Sequence, residues 1–432
     1  MKIAMKKVCE MVPTLLETKC PQIYSLLSDF GKKLCPSVDD VFYQAKDANG
    51  VRINASLGQA FADDSSPLIL PSLLCSPFFG PEHYLYSPVA GMSALRDLWQ
   101  KELLRKNPSL EKQYISKPLV TCGMTHALSI VHSLFFEKGE KLLMSEYYWG
   151  NYGHTFKDTI FDFFSCFTAE GSFDLESLEK KLQGEGQKFS LLLNFPHNPA
   201  GYTLTEKELS RLLEILLCAA ERNNSFLVIC DDAYFGLVYE DGVLKESLFS
   251  FLSQLHEQIL AVKIDGFSKE FYAWGLRVGF LSFGSKALSA ETAAILEMKA
   301  AECLRGTVSN VSTLTQSIAC TVLSSSTWQN EAKENFDILK DRYTVLKTCF
   351  AEHGEYEDFF TPLPFNSGYF VCLKLKTLDA DILRRTLIGE YSIGTISLGK
   401  TILRLAFSAI PVDEIPFVLD AIFSCCKRLS QY

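Results

Sequence analysis

The sequence predicts an α/β protein with a mostly parallel main sheet and a smaller α+β domain assembled from both termini. Three observations lead to this prediction. From about residue 115 to residue 283, short apolar runs typical of strands alternate with amphipathic segments typical of helices. Residues 290–350 are strongly helical, and residues 366–432 return to the alternation. Strand–helix–strand units of this kind build parallel sheets through right-handed crossovers.

The length of 432 residues suggests two or three domains. We assign residues 1–60 to an arm and the first part of the small domain. Residues 61–320 are the predicted large domain, and residues 321–432 complete the small one.

Composition excludes several classes of protein. The net charge is −9 and no Lys/Arg cluster forms a stripe, so we expect no nucleic-acid or anionic-membrane partner. No run of 18 apolar residues is present, and the N-terminus lacks the apolar core of a secretory signal. Fourteen cysteines without a Cys-x-x-Cys pair indicate reduced thiols in the cytoplasm, with zinc or disulfides as the less favoured alternative. The seven histidines are scattered, so we predict no metal site.

The elements follow in order along the chain. Residues 1–45 are predicted to be helical, 51–57 a strand, 59–90 a loop-rich stretch and 91–104 a helix starting near Ser93. The predicted strands of the alternating region are 119–121, 141–144, 161–167, 191–195, 226–230, 260–265 and 279–283. Its main predicted helices are 125–136, 174–182, with Asp174 as the N-cap, and 206–222. Later strands are predicted at 369–375 and 403–407.

Chemistry-bearing residues follow several of these strands. Ligands of open α/β sheets bind outside the carboxyl ends of the strands, so the residues that follow each strand are the first candidates. After strand 119–121 come Gly123, Met124 and Thr125 at a helix start, a backbone arrangement that binds anions. After strand 141–144, Trp149 ends an aromatic cluster and could lie flat on a planar ring. Taken alone, the first segment is more readily an ordinary turn with Thr125 as N-cap, and the aromatic cluster is equally well explained by core packing.

The later strand ends carry polar groups. Asn198 is held in a turn between prolines after strand 191–195. Asp231 and Tyr234 follow strand 226–230, where a carboxylate can pair with a protonated ring nitrogen. Lys269 follows strand 260–265, and Arg277 comes eight residues later. A lysine amine forms Schiff bases with carbonyl compounds, and an arginine fork suits a phosphate. Most lysines are surface charges, so the case for a catalytic Lys269 depends on the residues at the other strand ends rather than on its own segment.

Several motifs resemble the fold-type I, pyridoxal-phosphate-dependent aminotransferases of class I/II, the aspartate and aromatic aminotransferases. The most specific are HNPAG at 197–201, DDAY at 231–234 and SKEFYAWGLRVG at 268–279. The segment from Tyr86 to Gly91, followed by Leu95 and Arg96, and the segments at 149–152, 366–370 and 403–407 are also similar. The resemblance covers most of the chain and implies a mixed seven-stranded sheet flanked by helices, pyridoxal phosphate as cofactor, and a homodimer with shared active sites.

The resemblance also implies roles for individual residues. Lys269 forms a Schiff base with the cofactor and then moves the proton. Asp231 keeps the pyridine nitrogen protonated. Tyr234 and Asn198 hold the ring oxygen, and Trp149 stacks on the ring. The phosphate group is held by Gly123, Met124, Thr125, Ser268 and Arg277.

Four further residues complete the implied site. Tyr86 reaches the phosphate of the neighbouring subunit. Gly58 lines the substrate entrance, and Asn198 also faces the substrate. Arg404 binds the substrate α-carboxylate in a bidentate pair. Arg305 binds the side-chain carboxylate of a substrate in the partner's site, or else it caps a helix end or forms an ion pair there.

The sequence departs from the family pattern at the phosphate end. Gly266 stands where several relatives carry a phosphate-binding serine, and Met124 stands where a smaller residue is common.

The activity expected is transfer of an amino group between an L-amino acid, dicarboxylic or aromatic, and a 2-oxo acid by a ping-pong mechanism. A carbon–sulfur lyase or another α,β-eliminating enzyme is the alternative on the same fold. A non-catalytic regulatory protein is the third possibility, although it would not need the full catalytic set.

Overall fold

The computed structural model of the protein describes residues 41–56, 58–74 and 80–430. The predicted helices of residues 1–40 lie outside the described residues. Within the described ranges, no helix is both long and apolar enough to cross a membrane.

The strands are numbered in chain order. They are β1 Ile53–Asn54, β2 Leu119–Thr121, β3 Lys141–Ser145, β4 Ile160–Phe164, β5 Lys188–Asn194, β6 Ser225–Asp231, β7 Ile259–Gly266, β8 Gly279–Gly284, β9 Phe360–Pro362, β10 Phe370–Leu375, β11 Ile393–Gly394, β12 Ile396–Leu398 and β13 Ile402–Ala406.

The α-helices are numbered in the same way. They are α1 Val41–Asp47, α2 Pro71–Leu74, α3 Ser93–Lys106, α4 Met124–Phe135, α5 Tyr152–Thr155, α6 Leu175–Lys181, α7 Glu206–Glu221, α8 Leu248–Leu252, α9 Phe267–Glu270, α10 Ala290–Arg305, α11 Thr313–Ser324, α12 Trp328–Glu352, α13 Ala380–Thr386 and α14 Ile415–Leu429. Short 3-10 turns span Pro81–Tyr84, Lys112–Tyr114, Trp274–Leu276, Gly354–Asp358, Phe407–Ala409 and Val412–Glu414, and Leu387–Tyr391 forms a π-helical turn.

A mixed seven-stranded sheet forms the centre of the molecule, which confirms the predicted fold class. Its strand order is β2-β8-β7-β6-β5-β3-β4. Five neighbouring strands, β7 through β4, run parallel, and β8 runs antiparallel to both β7 and β2. The carboxyl ends of the parallel strands therefore meet at one edge, where the polar residues identified in the sequence follow them.

Local sequence signals explain the helices between the strands. Asp174 caps α6 as predicted, because its carboxylate accepts the Ser177 N–H at 2.8 Å. Thr205 begins α7 in a capping box with Glu208. Strands β5, β6 and β7 are apolar and buried over nearly all their length, as expected for parallel strands covered on both faces.

Two smaller sheets accompany the main sheet. A four-stranded sheet has the order β12-β13-β10-β9, and β1 pairs in parallel with β11. The strand predicted at 51–57 is shorter than expected, because the Asn54 side chain accepts the Ser56 N–H at 3.1 Å and turns the backbone. The division into domains at residues 60 and 320 stays a prediction.

Candidate active site

A cavity of about 430 Å³ lies at the carboxyl ends of the parallel strands. Most residues predicted for the site line it. They are Gly58, Met124, Thr125, Trp149, Asn198, Asp231, Tyr234, Ser268, Lys269 and Arg277. Residues separated by more than 200 positions in the chain therefore share one enclosed space.

Lys269 lies on α9, the single helical turn that follows β7. Its amine donates a hydrogen bond to the carbonyl oxygen of Gly58 at 2.8 Å and lies 5.4 Å from the centre of the Tyr234 ring. Burial, together with the positive charges of Arg277 and Arg404, lowers the pKa of this amine to about 7, while Asp231 opposes the shift. At neutral pH, roughly half of the amines are therefore unprotonated and able to act as a nucleophile or base.

Asp231 ends β6 and faces the same cavity. Its Oδ1 accepts the backbone N–H of Ala233 at 3.1 Å, and its Oδ2 accepts the hydroxyl of Tyr152 at 2.6 Å. Burial raises the pKa of this carboxyl to about 6, against the lowering effect of the Tyr152 hydrogen bond. About nine tenths of the carboxyl groups are then ionised at pH 7, which leaves a buried anion able to pair with a cation.

Tyr152 and Asn194 are site residues that the sequence reasoning missed. Besides its bond to Asp231, the Tyr152 ring packs edge-on to Trp149, with 5.5 Å between ring centres. Asn194 ends β5; its side chain donates to the Asp231 carbonyl at 2.7 Å and accepts the N–H of Asn198 at 2.7 Å. A polar residue ending an apolar strand was the available signal for Asn194. Tyr152 lay within an aromatic run that core packing explained equally well.

Three buried polar atoms in this region lack partners. Asn198 Oδ1, Ser268 Oγ and Arg404 Nε find no hydrogen-bond partner among the described residues. Buried polar atoms are nearly always paired, so three such atoms around connected cavities indicate a polar ligand.

One end of the cavity carries groups that can bind an anion. Gly123 has φ +75° and precedes the N-terminus of α4. A Cβ at this position would lie 2.3 Å from Arg277 Nη2, so only glycine lets the guanidinium lie against the turn. Backbone N–H groups at the helix start, the Thr125 hydroxyl and the Arg277 charge together match a phosphate.

Gly266 is explained by the packing of two strands. A Cβ there would lie 2.6 Å from the Val278 carbonyl oxygen and 2.7 Å from Gly279 Cα, so no side chain fits. The unpartnered hydroxyl of Ser268 lines the cavity two residues later and offers the group that Gly266 lacks.

A second cavity of about 690 Å³ adjoins the first and shares Gly58, Trp149, Asn198, Tyr234 and Lys269 with it. Arg404, on β13, lines this second space. Its Nη2 donates to the Ser56 carbonyl at 2.9 Å, and its guanidinium lies 4.4 Å from the centre of the Phe370 ring. A small carboxylate could therefore bind within reach of the cavity that holds Lys269.

Tyr86 and Arg305 lie outside both cavities. Tyr86 is 91% exposed. The Arg305 side chain is 66% exposed and approaches Glu302 at 4.0 Å. Their proposed roles involve a second subunit and stay predictions. No three His, Cys, Asp or Glu side chains are grouped to hold a metal ion in the ranges that the structure describes.

Comparison with known proteins shows the family of the chain. Residues 80–422 match the family described as aminotransferase class I and II. The chain is 24% identical over 265 residues to a probable aspartate/prephenate aminotransferase of Aquifex aeolicus, covering 59% of this chain and 61% of the relative. It is 24% identical over 347 residues to an aspartate aminotransferase of Sulfurisphaera tokodaii, covering 76% and 79%.

A solved structure shows that the fold is shared. The crystal structure of an aminotransferase from Anaerococcus prevotii superposes with a TM-score of 0.80 at 23% identity, covering 93% of this chain and 99% of the other. The family match spans most of the chain, from the segment preceding α3 into α14. The resemblance inferred from the sequence motifs is confirmed, and the chain belongs to the family of class I and II aminotransferases.

Proposed function

We propose that the protein is a pyridoxal-phosphate-dependent aminotransferase that moves an amino group between an L-amino acid and a 2-oxo acid by a ping-pong mechanism. The observation that carries the proposal is the setting of Lys269. Its amine is enclosed with the carboxylate of Asp231 and has a pKa near 7. A surface lysine has neither property.

The residues present fit pyridoxal phosphate, the cofactor that members of this family use. The phosphate fits the turn at Gly123 and Thr125, with Arg277 as its charged partner. The buried, unpartnered Ser268 Oγ and Asn198 Oδ1 supply polar contacts for the phosphate and for the ring substituents.

The ring would lie between the remaining groups of the cavity. Trp149 offers a flat face, and Tyr234 a buried hydroxyl. Asp231 is the one carboxylate lining this cavity among the described residues, and it suits the protonated ring nitrogen. When bound, pyridoxal phosphate supplies an aldehyde for an amine and a conjugated ring that accepts electrons from the substrate Cα.

Lys269 performs the proton transfer in this proposal. Its free amine would take the proton from the substrate Cα and deliver it to the carbon on the other side of the substrate nitrogen. The lowered pKa keeps a large fraction of the amine unprotonated at neutral pH, as a general base requires. Burial of Tyr234 raises the pKa of its phenol, so it stays a hydrogen-bond donor throughout.

Arg404 orients the substrate. Its guanidinium is buried, and Nε has no hydrogen-bond partner within the described part of the chain. A carboxylate bound to this fork would satisfy Nε and hold the substrate Cα near Lys269.

The activity is tested by half-transamination. Purified protein loaded with pyridoxal phosphate and given an amino acid alone should convert the cofactor to its amine form and release a 2-oxo acid. Lys269→Ala should abolish the conversion and the absorption of the lysine-bound cofactor, whereas Lys286→Ala, at an exposed lysine, should change neither.

Other outcomes of this assay would overturn the proposal. Release of pyruvate and ammonia without a 2-oxo acid acceptor would identify an eliminating enzyme instead. Tight binding of the cofactor with no reaction for any amino acid would indicate a non-catalytic binding protein.

We also propose a cytoplasmic homodimer with shared active sites. Tyr84, Leu85 and Tyr86 are consecutive large apolar residues that are 71%, 67% and 91% exposed, as expected for a surface covered by another subunit. Every cysteine in the described ranges is a free thiol, which suits a reducing compartment. Sedimentation equilibrium should give the mass of two chains; the mass of one chain would exclude shared sites.

The amino donor is proposed to be dicarboxylic or aromatic. Tyr147, Tyr148 and Phe370 line the substrate-side cavity and favour an aromatic side chain. Exposed Arg305 favours a dicarboxylate if the partner's cavity lies beside it. Arg305→Ala, assayed on a panel of amino acids, should lose activity with aspartate and glutamate by about tenfold or more and retain it with phenylalanine. Equal activity on all of them would remove Arg305 from substrate recognition.

A further inference from the structure

A buried group of charges lies beside the active site and takes no part in the mechanism above. Lys263, on β7, contacts Asp232 Oδ2 directly and lies 3.3 Å from Asp265 Oδ2. All three residues are at most 5% exposed. Two further groups complete the network: Trp99 Nε1 donates to Asp265 at 3.0 Å, and Ser247 Oγ donates to Asp232 at 2.5 Å.

Asp232, Lys263 and Asp265, which we call the triad, are a costly way to stabilise a fold. Desolvating one ammonium and two carboxylates is expensive, and well-packed apolar side chains of similar volume are often as stable or more so. Burial opposes the charge on Lys263, but the two neighbouring carboxyl groups raise its pKa above the ordinary value, so Lys263 remains a cation. A role beyond stability therefore has to be sought in its location.

The triad joins the two strand ends that carry the proposed catalytic groups. Asp232 directly follows Asp231, and its N–H donates to the Ile264 carbonyl at 2.9 Å. Asp265 lies four residues before Lys269 on the neighbouring strand. Lys263 bridges the two carboxylates, so the ends of β6 and β7 are connected by side chains as well as by the sheet.

The Lys269 turn is held at its other end by a second ion pair. Lys106 lies 2.7 Å from Glu270, with both side chains less than a fifth exposed. The Lys106 amine also lies 4.9 Å from the centre of the Trp99 ring, the same ring that donates to Asp265. The segment from Asp265 to Glu270 is thus fixed on both sides of Lys269.

We propose that Asp232, Lys263 and Asp265 form a positioning device for the active site, which joins the ends of β6 and β7 and sets the charge beside Asp231. The proposal rests on the function proposed above, because it assigns Asp231 and Lys269 to one site. Its members act through Asp231 and Lys269, without contact with substrate or cofactor.

The electrostatic part of the proposal has a defined sign. Asp232 is the near carboxylate and raises the pKa of Asp231, whereas Lys263 lowers it. Asp265 pairs with the Lys263 amine and is not among the groups with the largest effects on the pKa of Asp231. The ionisable groups that face Asp231 from the surrounding elements, or adjoin it in the chain, are Tyr152, Cys230, Asp232, Tyr234, Lys263 and Lys269.

Three variants of the full-length protein test the proposal. Asp232→Asn should lower the pKa of Asp231 by about one unit, because it removes the near negative charge and leaves Lys263 paired with Asp265. Adding Lys263→Met to Asp232→Asn should raise it again. Asp265→Asn is the matched control: it removes one buried carboxylate of the same shape and should move the Asp231 titration little.

The titration is read by carbon NMR of protein labelled at aspartate carboxyl groups, without cofactor, with the Asp231 signal assigned from Asp231→Asn. Thermal unfolding of each variant checks that it is folded. The proposal is overturned if Asp232→Asn and Asp265→Asn shift Asp231 equally, or if neither shifts it. If Asp232→Asn fails to fold, a large shift in Asp265→Asn is itself enough to reject the proposal.

A second measurement is the pH dependence of pyridoxal phosphate binding, which does not depend on the reaction. The pH at which pyridoxal phosphate affinity falls by half on acidification should move down by about one unit in Asp232→Asn. If the NMR shifts are as expected but the protein transfers no amino groups, the proposed function is rejected and the positioning role of the triad is supported. If the protein transfers amino groups but the pKa of Asp231 does not change in Asp232→Asn, the positioning role is rejected and the proposed function is supported.

Discussion

Tyr152→Phe is the substitution that most directly tests the electrostatics of the site. It removes only a hydroxyl, and that hydroxyl donates to Asp231 Oδ2 at 2.6 Å from a fully buried ring. A hydrogen bond to a charged group is worth about 1.5–3 kcal/mol. At 1.36 kcal/mol per pKa unit, its loss should raise the pKa of Asp231 by about one to two units.

The consequence for stability depends on pH with a definite sign. The pKa of Asp231 is about 6 in the folded protein, above its ordinary value of 3.8, so folding favours the neutral carboxyl. The native protein therefore loses stability as pH rises from about 4 to 6, and then no more from this group. In Tyr152→Phe the loss should continue to about pH 7–8, which adds about 1.5–3 kcal/mol of destabilisation above that pH.

Urea unfolding of the cofactor-free protein at pH 5 and pH 8.5 measures this difference. The gap in unfolding free energy between the native protein and Tyr152→Phe should be clearly larger at pH 8.5. Tyr356→Phe is a suitable control, because it loses a hydroxyl–carboxylate bond of the same 2.6 Å to Asp420, which is exposed to water. A gap for Tyr152→Phe that is equal at the two pH values would refute the argument.

Two further predictions concern fit and orientation. Gly266→Ala should destabilise the protein by about 1–3 kcal/mol in urea unfolding, because its Cβ would press on the backbone of β8, whereas Gly354→Ala, with open space around it, should be nearly neutral. Arg404→Lys should raise the KM for every amino donor by about tenfold or more in steady-state assays, because a single ammonium cannot form the paired hydrogen bonds of the guanidinium. An unchanged KM would place the substrate carboxylate elsewhere.

The sequence predicted the fold well because each strand of the main sheet is a short apolar run with its own boundaries. The predicted strand 119–121 coincides with β2, and most other strands agree within a few residues. Lys269, Asp231 and Asn198 were found by the same logic, since each lies at the end of such a strand or shortly after it. Periodicity and position were sufficient because parallel strands gather their carboxyl ends at one edge.

The features that were missed depend on contacts between distant side chains. Lys263 and Asp265 sit inside an otherwise apolar strand, and their charges offered no sign of a partner 31 residues away in Asp232. Tyr152 was hidden for a different reason: in an aromatic run, one ring that packs and one ring that donates a hydrogen bond are indistinguishable without coordinates. Arg305 and Tyr86 line neither of the two cavities, so their proposed roles require the position of a second chain.

The antiparallel strand β8 has a consequence for the order in which the protein assembles. It places Gly279 opposite Thr121, so the turn after β2 that we propose to bind the phosphate is completed by residues that are synthesised about 160 positions later. Arg277 reaches Gly123 only through this pairing. Closing so long a loop is slow relative to local helix formation. We therefore expect affinity for phosphate to arise late in folding, when the edge of the sheet closes, so that cofactor capture marks the completed large sheet.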